Sequence, residues 1–323
     1  MENSGMLGGG VVVPNITFFD QNYDIDENAQ RTCFEHILQN QAGAIFLLSS
    51  TGEGAFIHKN PAVENHLLDF TVSFLPESTF LVVGCFGENT EEIVADLQEK
   101  ERYKRINAFV ITPPRTVKLN GDILGAMFLE VAEQSSKPIY LYNNPENFGA
   151  NEIPLEYLDQ FARNDNILGI KDSGTSFEYK LECAQYLSDK FWVFTGKEGE
   201  YGTFLLAVPP SLRKYVGVVP SLGNLSNIFR KIEEQCDNDD FIKVLHEEVN
   251  SWRNKFYDLS NPKGKAQRGM KIALELLYPG QIGPQPVVAP EFEVEVPPEF
   301  RVAVADWLPI ITDRGFISKI EGL

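Results

Sequence analysis

Short apolar, β-branched runs that stop at small or polar residues recur along the chain, and such runs read as buried strands of a parallel sheet. Eight stand out: Val11–Ile16, Ala44–Leu48, Phe80–Val83, Ala108–Ile111, Ile139–Tyr142, Leu168–Ile170, Trp192–Phe194 and Val216–Val219. Successive starts lie about 24 to 36 residues apart, the length that a strand, a crossover helix and two loops occupy. Between the runs, apolar residues at three- and four-residue spacing predict helices over Ala29–Gln39, Asn89–Lys100, Ile123–Gln134, Leu155–Phe161 and Phe177–Leu187. Eight strand–helix units predict an α/β fold, a (β/α)8 TIM barrel over residues 10–226. An open doubly wound sheet is the alternative, but its Gly-rich turn before a first helix is missing. Gly8–Gly10 precede a strand instead, and residues 1–9 read as a flexible tail.

After the eighth run the pattern is helical to the end, so residues 227–323 are expected to form a C-terminal helical appendage. Phe229–Gln235, Phe241–Tyr257 and Gly264–Leu277 carry helical spacing, a Pro-rich stretch runs from Pro279 to Pro298, and a short helix is expected around Arg301–Leu308. The appendage reads as a cover for one barrel flank or a subunit contact rather than a source of chemistry. Val208–Tyr215 reads as a surface insertion before the eighth strand.

Composition narrows the function classes. Hydrophobic residues at 43% and aromatics at 11% supply enough apolar surface to offset the entropy of ordering a folded chain. Lys and Arg number 28 against 46 Asp and Glu, a formal charge of −18 that repels nucleic acid and anionic membranes alike. An anionic ligand would then have to be held by local dipoles and a few placed groups. Cys33, Cys85, Cys183 and Cys236 lie far apart, which fits reduced thiols and a cytoplasmic protein. His36, His58, His66 and His246 make no HExxH and fall in stretches that read as helix or loop surface, so no metal site is expected. The N-terminal MENSGMLGGG lacks a signal-peptide pattern, and no run approaches the roughly 18 apolar residues a spanning helix requires.

In a barrel of this kind reacting groups project from the carboxyl ends of the strands. Strand six delivers Lys171, followed by Asp172-Ser173-Gly174, and strand five delivers Tyr142, followed by Asn143-Asn144-Pro145. Desolvation at the rim of an apolar cavity lowers a lysine's pKa and frees its neutral amine to attack a carbonyl, and a neighbouring phenol can shuttle protons. After strand two, Ser49-Ser50-Thr51-Gly52-Glu53-Gly54 offers hydroxyls and backbone N–H groups that can cradle a carboxylate. Taken singly, each of these also fits a solvated loop charge, a core tyrosine and a capped turn.

SSTGE after strand two, YNNP after strand five and GIKDS after strand six, in that order, resemble the dihydrodipicolinate synthase and N-acetylneuraminate lyase family of pyruvate-dependent class I aldolases, from roughly Gly10 to Asn224. The resemblance implies that Lys171 forms the Schiff base, that Tyr142 shuttles protons, and that Ser50 and Thr51 bind the pyruvate carboxylate and join the relay. It implies a small-molecule keto acid and an aldehyde as ligands, no cofactor, and a homo-oligomer, dimer or tetramer. Glu198 after strand seven and Ser221 and Asn224 after strand eight fall where relatives contact substrate hydroxyls. Two departures bear on the substrate. The arginine that the family's synthases carry shortly after the YNxP tyrosine is absent from Glu146-Asn147-Phe148-Gly149. Where many members have a tyrosine after strand four, this chain has Arg115, which cannot exchange a proton at neutral pH but can bind an anionic substrate end.

The expected function is a class I aldolase or lyase that cleaves or makes a 2-keto-3-deoxy sugar acid or a related compound. Dihydrodipicolinate synthase, with Arg115 standing in for the missing cation, is the alternative within the fold, and a dehydratase using the same imine is a third. A non-catalytic barrel that binds a keto acid is the alternative from another class.

Overall fold

The computed structural model describes residues 10–40, 42–174, 176–257, 263–284, 286–320 and 322. The expected tail, residues 1–9, lies outside them. Each apolar run supplies one parallel strand: β1 Val12–Pro14, β2 Ala44–Leu47, β3 Phe80–Cys85, β4 Ala108–Ile111, β5 Ile139–Asn143, β6 Ile167–Asp172, β7 Trp192–Thr195 and β8 Val216–Val218. Neighbours pair in chain order. The Val218 N–H donates to the Gly10 carbonyl at 2.7 Å beside a parallel bridge between Val11 and Val218, which brings β8 back to β1. The architecture is the (β/α)8 barrel with C-terminal helices that the spacing predicts.

Side chains alternate between two cores with the period of two a strand imposes. Val12, Phe46, Val82, Val110, Tyr140 and Phe194 fill the barrel interior, while Val13, Ile45, Leu47, Val83, Phe109 and Leu141 face the surrounding helices. Burying each large apolar side chain contributes about 1.5–3 kcal/mol.

The helices are α1 Glu27–Gln39, α2 Gly54–Ile57, α3 Pro61–Phe74, α4 Thr90–Lys100, α5 Gly121–Gln134, α6 Leu158–Arg163, α7 Phe177–Ala184, α8 Tyr201–Ala207, α9 Ile228–Glu234, α10 Asp239–Phe256, α11 Lys265–Leu277 and α12 Pro298–Asp313. Side chains of Asp26, Asn89, Asn120, Ser176 and Asn238 accept a first-turn N–H and fix where α1, α4, α5, α7 and α10 begin. Helix α3 is not among those the spacing predicts, although Asn60 caps it, Pro61 opens it, and Val63, Leu67, Leu68 and Phe70 are buried along it. The terminal helix is longer than expected at both ends.

Two expectations about surface residues are corrected. His36 is fully buried on the inner face of α1, where one ring nitrogen lies 2.7 Å from the Tyr278 hydroxyl and the other 2.9 Å from the Leu225 carbonyl. It ties the barrel to the C-terminal helices. Val208–Tyr215 is not a free insertion: Pro210–Tyr215 forms a 3-10 turn whose buried Arg213 bonds the carbonyls of Val208 and Cys236 and the Asp239 carboxylate. Both polar side chains sit inside because each has hydrogen-bond partners there. No helix among the described residues is long and apolar enough to cross a membrane.

Candidate active site

Strand β6 owes the direction of its lysine to an irregularity. Leu168 faces the barrel interior, so strict alternation would send Ile170 inward and Lys171 out. The pairing with β5 shifts instead: Ile139 lies opposite Ile167, but the next β5 residue, Tyr140, lies opposite Gly169. One extra residue on β6 re-phases the strand, so that Ile170 joins the outer core and Lys171 pairs across from Tyr142 and Phe194 on the inner face. Gly169 absorbs the irregularity at φ 154°, and a Cβ there would stand 2.1 Å from the Trp192 carbonyl oxygen.

Lys171 is buried, with its Nζ 3.9 Å from the centroid of the Tyr142 ring and 5.2 Å from that of Phe46. Among the described residues it makes no ion pair. Asp172, on the opposite face, makes several contacts: it accepts from Asn143 Nδ2 at 2.7 Å and from the Gly174 N–H at 3.0 Å, and its second oxygen lies 2.9 Å from Lys180 Nζ. Both members of that pair are fully buried. The turn after β6 is therefore held from behind while Lys171 projects forward.

The Tyr142 phenol accepts from Asn144 Nδ2 at 3.1 Å, with the Ser50 and Ser173 hydroxyls as further polar neighbours. Burial alone would raise its pKa, but the Lys171 charge and these polar neighbours outweigh burial and hold it below the ordinary tyrosine value. The Phe148 ring packs edge-on against it, 5.3 Å between centroids. Asn144 and Ser173 carry no assigned role in the sequence reading, although both lie inside the quoted YNNP and GIKDS motifs.

The loop after β2 is tightly wound. Leu48 and Glu53 both adopt left-handed backbone angles, at φ 55° and 61°. The Gly52 N–H bonds Ser49 Oγ at 2.9 Å, Thr17 Oγ1 donates to the Gly52 carbonyl at 2.9 Å, and Gln267 Nε2 donates to the Ser50 carbonyl at 3.0 Å. Glu53 pairs with Lys271 of α11 and also accepts the Ala289 N–H. This pair is fully enclosed, and burial pushes the Glu53 carboxyl up and the Lys271 amine down, each opposed by its partner. The result separates the two hydroxyls that the sequence treats together: Ser50 lines one cavity with Tyr142, whereas Thr51 Oγ1 lies 3.0 Å from Ser221 Oγ.

Glu198 is not turned freely toward a ligand. Its carboxylate accepts the Leu222 N–H at 3.0 Å and the Tyr257 hydroxyl, with Arg253 Nε at 3.6 Å. Tyr257 comes from the end of α10, 59 positions away in sequence, where no motif marks it. Asn224 is buried and holds β1, accepting the Ile16 N–H at 3.0 Å and donating to the Pro14 carbonyl at 2.9 Å. Arg115 is exposed; its guanidinium carbon lies 5.8 Å from the Phe148 centroid, and its loop is pinned by the Glu88 carboxylate, which accepts the N–H groups of Arg115 and Thr116.

A cavity of about 500 Å³ opens over the carboxyl ends of β2 to β5, lined by Phe46, Ser49, Ser50, Arg115, Tyr142 and Phe148. Lys171 fronts a narrower gap of about 20 Å³ inside the barrel, and Phe46 lines both spaces. The far wall of the cavity comes from the appendage, through Lys263–Gln267, Glu291 and Phe292. The C-terminal region thus shares the lining of the cavity with Ser50 and Tyr142. His58, Glu64 and Asp96 bring three metal-capable groups together among the described residues. Lys100 Nζ occupies the cation position there, 2.6 Å from Glu64 and bonded to Asp96.

The model of the dihydrodipicolinate synthetase family matches residues 8–243. The chain belongs to that family. Its members are class I aldolases and lyases, which sets the enzyme class of the chain. A DapA-like lyase of Thermococcus onnurineus is 26% identical over 272 residues, 83% of this chain and 88% of the relative. Among solved structures, the dihydrodipicolinate synthase of Thermotoga maritima superposes with a TM-score of 0.78 at 18% identity, covering 96% of this chain and 99% of that one. The 2-keto 3-deoxygluconate aldolase of Picrophilus torridus gives 0.73 at 19%, covering 90% and 99%. Both likenesses are of fold. The family's barrel end, where strands deliver reacting groups, is the end at which Lys171, Tyr142, Ser50 and Thr51 gather.

Proposed function

We propose that this family member is a pyruvate-dependent class I aldolase or lyase in which Lys171 forms a Schiff base with a 2-keto acid, and that it cleaves or makes a 2-keto-3-deoxy sugar acid or a related compound. The observation that carries this reading is the buried Lys171 amine 3.9 Å from the ring of Tyr142. The amine adds to the ketone carbon, and loss of water from the carbinolamine leaves an iminium. In cleavage, Tyr142 takes the C4 hydroxyl proton, the C3–C4 bond breaks, and its electron pair flows into the iminium to leave an enamine and a free aldehyde. Protonation at C3 and hydrolysis then release pyruvate and restore the lysine. In synthesis the enamine attacks an aldehyde. Tyr142 suits the proton work because its phenol, which accepts from Asn144 Nδ2, is held below the usual tyrosine range.

The second substrate follows from the loop after Tyr142. The loop Glu146–Gly149, on which the family's synthases carry a carboxylate-binding arginine, has none, and its Phe148 packs on the phenol, which supports an uncharged, hydroxylated aldehyde. Arg115 on the cavity wall supports the second reading, a dihydrodipicolinate synthase whose cation comes from the strand-four side. Incubation with a panel of 2-keto-3-deoxy sugar acids, scored for pyruvate and aldehyde release, tests the first. Turnover of aspartate semialdehyde in a coupled reductase assay, with no cleavage of the sugar acids, would replace it with the second.

A further inference from the structure

One neutral polar side chain in the wall of the large cavity has no part in the chemistry described so far. Gln267, the third residue of α11, is 8% exposed and lines the space of about 500 Å³ that Ser50 and Tyr142 also line. Its Nε2 donates to the Ser50 carbonyl at 3.0 Å. Four residues on, and therefore on the same face of the helix, Lys271 pairs with Glu53 of the same loop and donates to the Val287 carbonyl at 2.8 Å. Helix α11 is thus tied to the loop after β2 at two points, and the Gln267 amide stands in a fixed place beside Ser50.

Other neutral polar side chains of the wall are engaged by the protein itself or lie in solvent. Ser49 Oγ accepts the Gly52 N–H at 2.9 Å, Thr112 Oγ1 donates to the Cys85 carbonyl at 3.2 Å, and Asn147 is exposed. A primary amide carries two N–H donors and an oxygen with two lone pairs. The Ser50 carbonyl takes one donor of Gln267, and no donor among the described residues is bonded to its Oε1. What remains is a donor and an acceptor on one rigid plane. A hydroxyl group, which both accepts and donates, matches that pair; a carboxylate or a phosphate, which only accepts when ionised, is opposed by the amide oxygen.

The gap that Lys171 fronts, about 20 Å³, has the room of a single water molecule, so the carbons of a sugar acid beyond C4 have to lie in the large cavity that Tyr142 and Gln267 share. We propose that Gln267 is a specificity-determining residue that hydrogen-bonds a hydroxyl of the aldehyde portion, so that the enzyme selects aldehydes hydroxylated beyond the carbonyl carbon over their deoxygenated counterparts. The inference rests on the aldolase reading of the site and narrows its second substrate. The discriminating group comes from the C-terminal region, whereas Lys171 and Tyr142 come from barrel strands. A site built to bond a substrate hydroxyl rejects the analogue that lacks it, because the amide groups are then left without their partner.

The test is condensation of pyruvate with a matched set of three-carbon aldehydes: glyceraldehyde, 2-hydroxypropanal, 3-hydroxypropanal and propanal. The full-length protein is compared with Gln267→Met and Gln267→Leu, which keep an apolar bulk and remove both amide groups, and borohydride trapping with pyruvate is run on each. The readout is kcat/KM for each hydroxylated aldehyde relative to propanal; comparing that ratio between proteins cancels the intrinsic reactivity of the aldehydes. Loss of a neutral hydrogen bond should lower the ratio for at least one hydroxylated aldehyde by about three- to tenfold in both variants. A purely structural tie to Ser50 would instead slow all four aldehydes alike and raise the KM for pyruvate with the ratios unchanged, which would overturn the proposal. Propanal condensed by the unmodified protein as efficiently as the hydroxylated aldehydes would overturn it without any variant. If Lys171 is labelled and the ratios are the same in all three proteins, Gln267 reads no hydroxyl and the Schiff-base reading stands. If the ratios fall in the variants yet Lys171 is never labelled, the inference stands and the Schiff-base reading falls. If the unmodified protein condenses none of the four, both fall.

Discussion

Replacing Gly169 with alanine should remove either the stability of the barrel or the reactivity of Lys171. The native backbone holds φ at 154°, and the new Cβ would sit 2.1 Å from the Trp192 carbonyl oxygen and 2.9 Å from its carbonyl carbon. The backbone conformation costs an L-residue about 1–3 kcal/mol. The overlap is with the main chain of the neighbouring strand, which cannot rotate away as a flexible side chain can, and adds about 1–3 kcal/mol. Against a folding free energy of about 5–15 kcal/mol, the combined loss of about 2–6 kcal/mol is large. The chain has one escape: expelling the irregularity restores plain alternation along β6 and turns Lys171 out of the barrel. Urea unfolding followed by tryptophan fluorescence, to which Trp192 at the contact contributes, should show a lower midpoint, and borohydride trapping should show loss of labelling if the escape is taken. An alanine variant within about 0.5 kcal/mol of the parent, the scatter of neutral surface changes, and fully labelled at Lys171 would refute the argument that Gly169 aims the lysine.

Tyr142→Phe should lower kcat for cleavage by about 10²- to 10⁴-fold, the usual worth of a positioned acid–base group, while Lys171 remains trappable; unchanged turnover would place the proton transfer elsewhere. Lys180→Met leaves the Asp172 carboxylate buried and unpaired, so a loss of about 3–5 kcal/mol is expected in urea unfolding, and a loss below 1 kcal/mol would contradict the pairing. His36 is buried neutral, and burial depresses its pKa from 6.5 to about 4. The unfolded chain therefore binds a proton between those values that the native protein does not, and stability should fall by about 3 kcal/mol as pH drops through that window. His36→Gln should flatten that part of the pH profile, and an identical slope in both proteins would show that another group carries it.

The barrel is legible in the sequence because buried parallel strands leave uninterrupted apolar runs, and the side chains at their carboxyl ends follow directly from where those runs stop. Lys171, Tyr142 and the SSTGEG hydroxyls could be picked out in that way. Their separation could not, since Ser50 and not Thr51 shares the cavity with Tyr142 in a loop that Leu48 and Glu53 wind through left-handed angles. Nor could the inward turn of Lys171, which depends on a one-residue shift that alternation alone would have pointed outward. Contacts made by the appendage were hidden for a different reason. Lys271, Tyr257 and Gln267 carry ordinary helical patterns, and their meeting with Glu53, Glu198 and Ser50 depends on tertiary docking across long stretches of chain. His36 looked like surface because a single polar residue on a helix gives no sign of partners supplied by Leu225 and Tyr278.

The central claim is that the amine at position 171 condenses with a keto acid. Incubation of the purified protein with pyruvate and borohydride, followed by proteolysis and peptide mass mapping, tests it most directly. The account predicts one reduced pyruvyl adduct, on Lys171, absent without pyruvate and absent in Lys171→Ala. An active enzyme that carries no adduct, or carries it on another lysine, would contradict it.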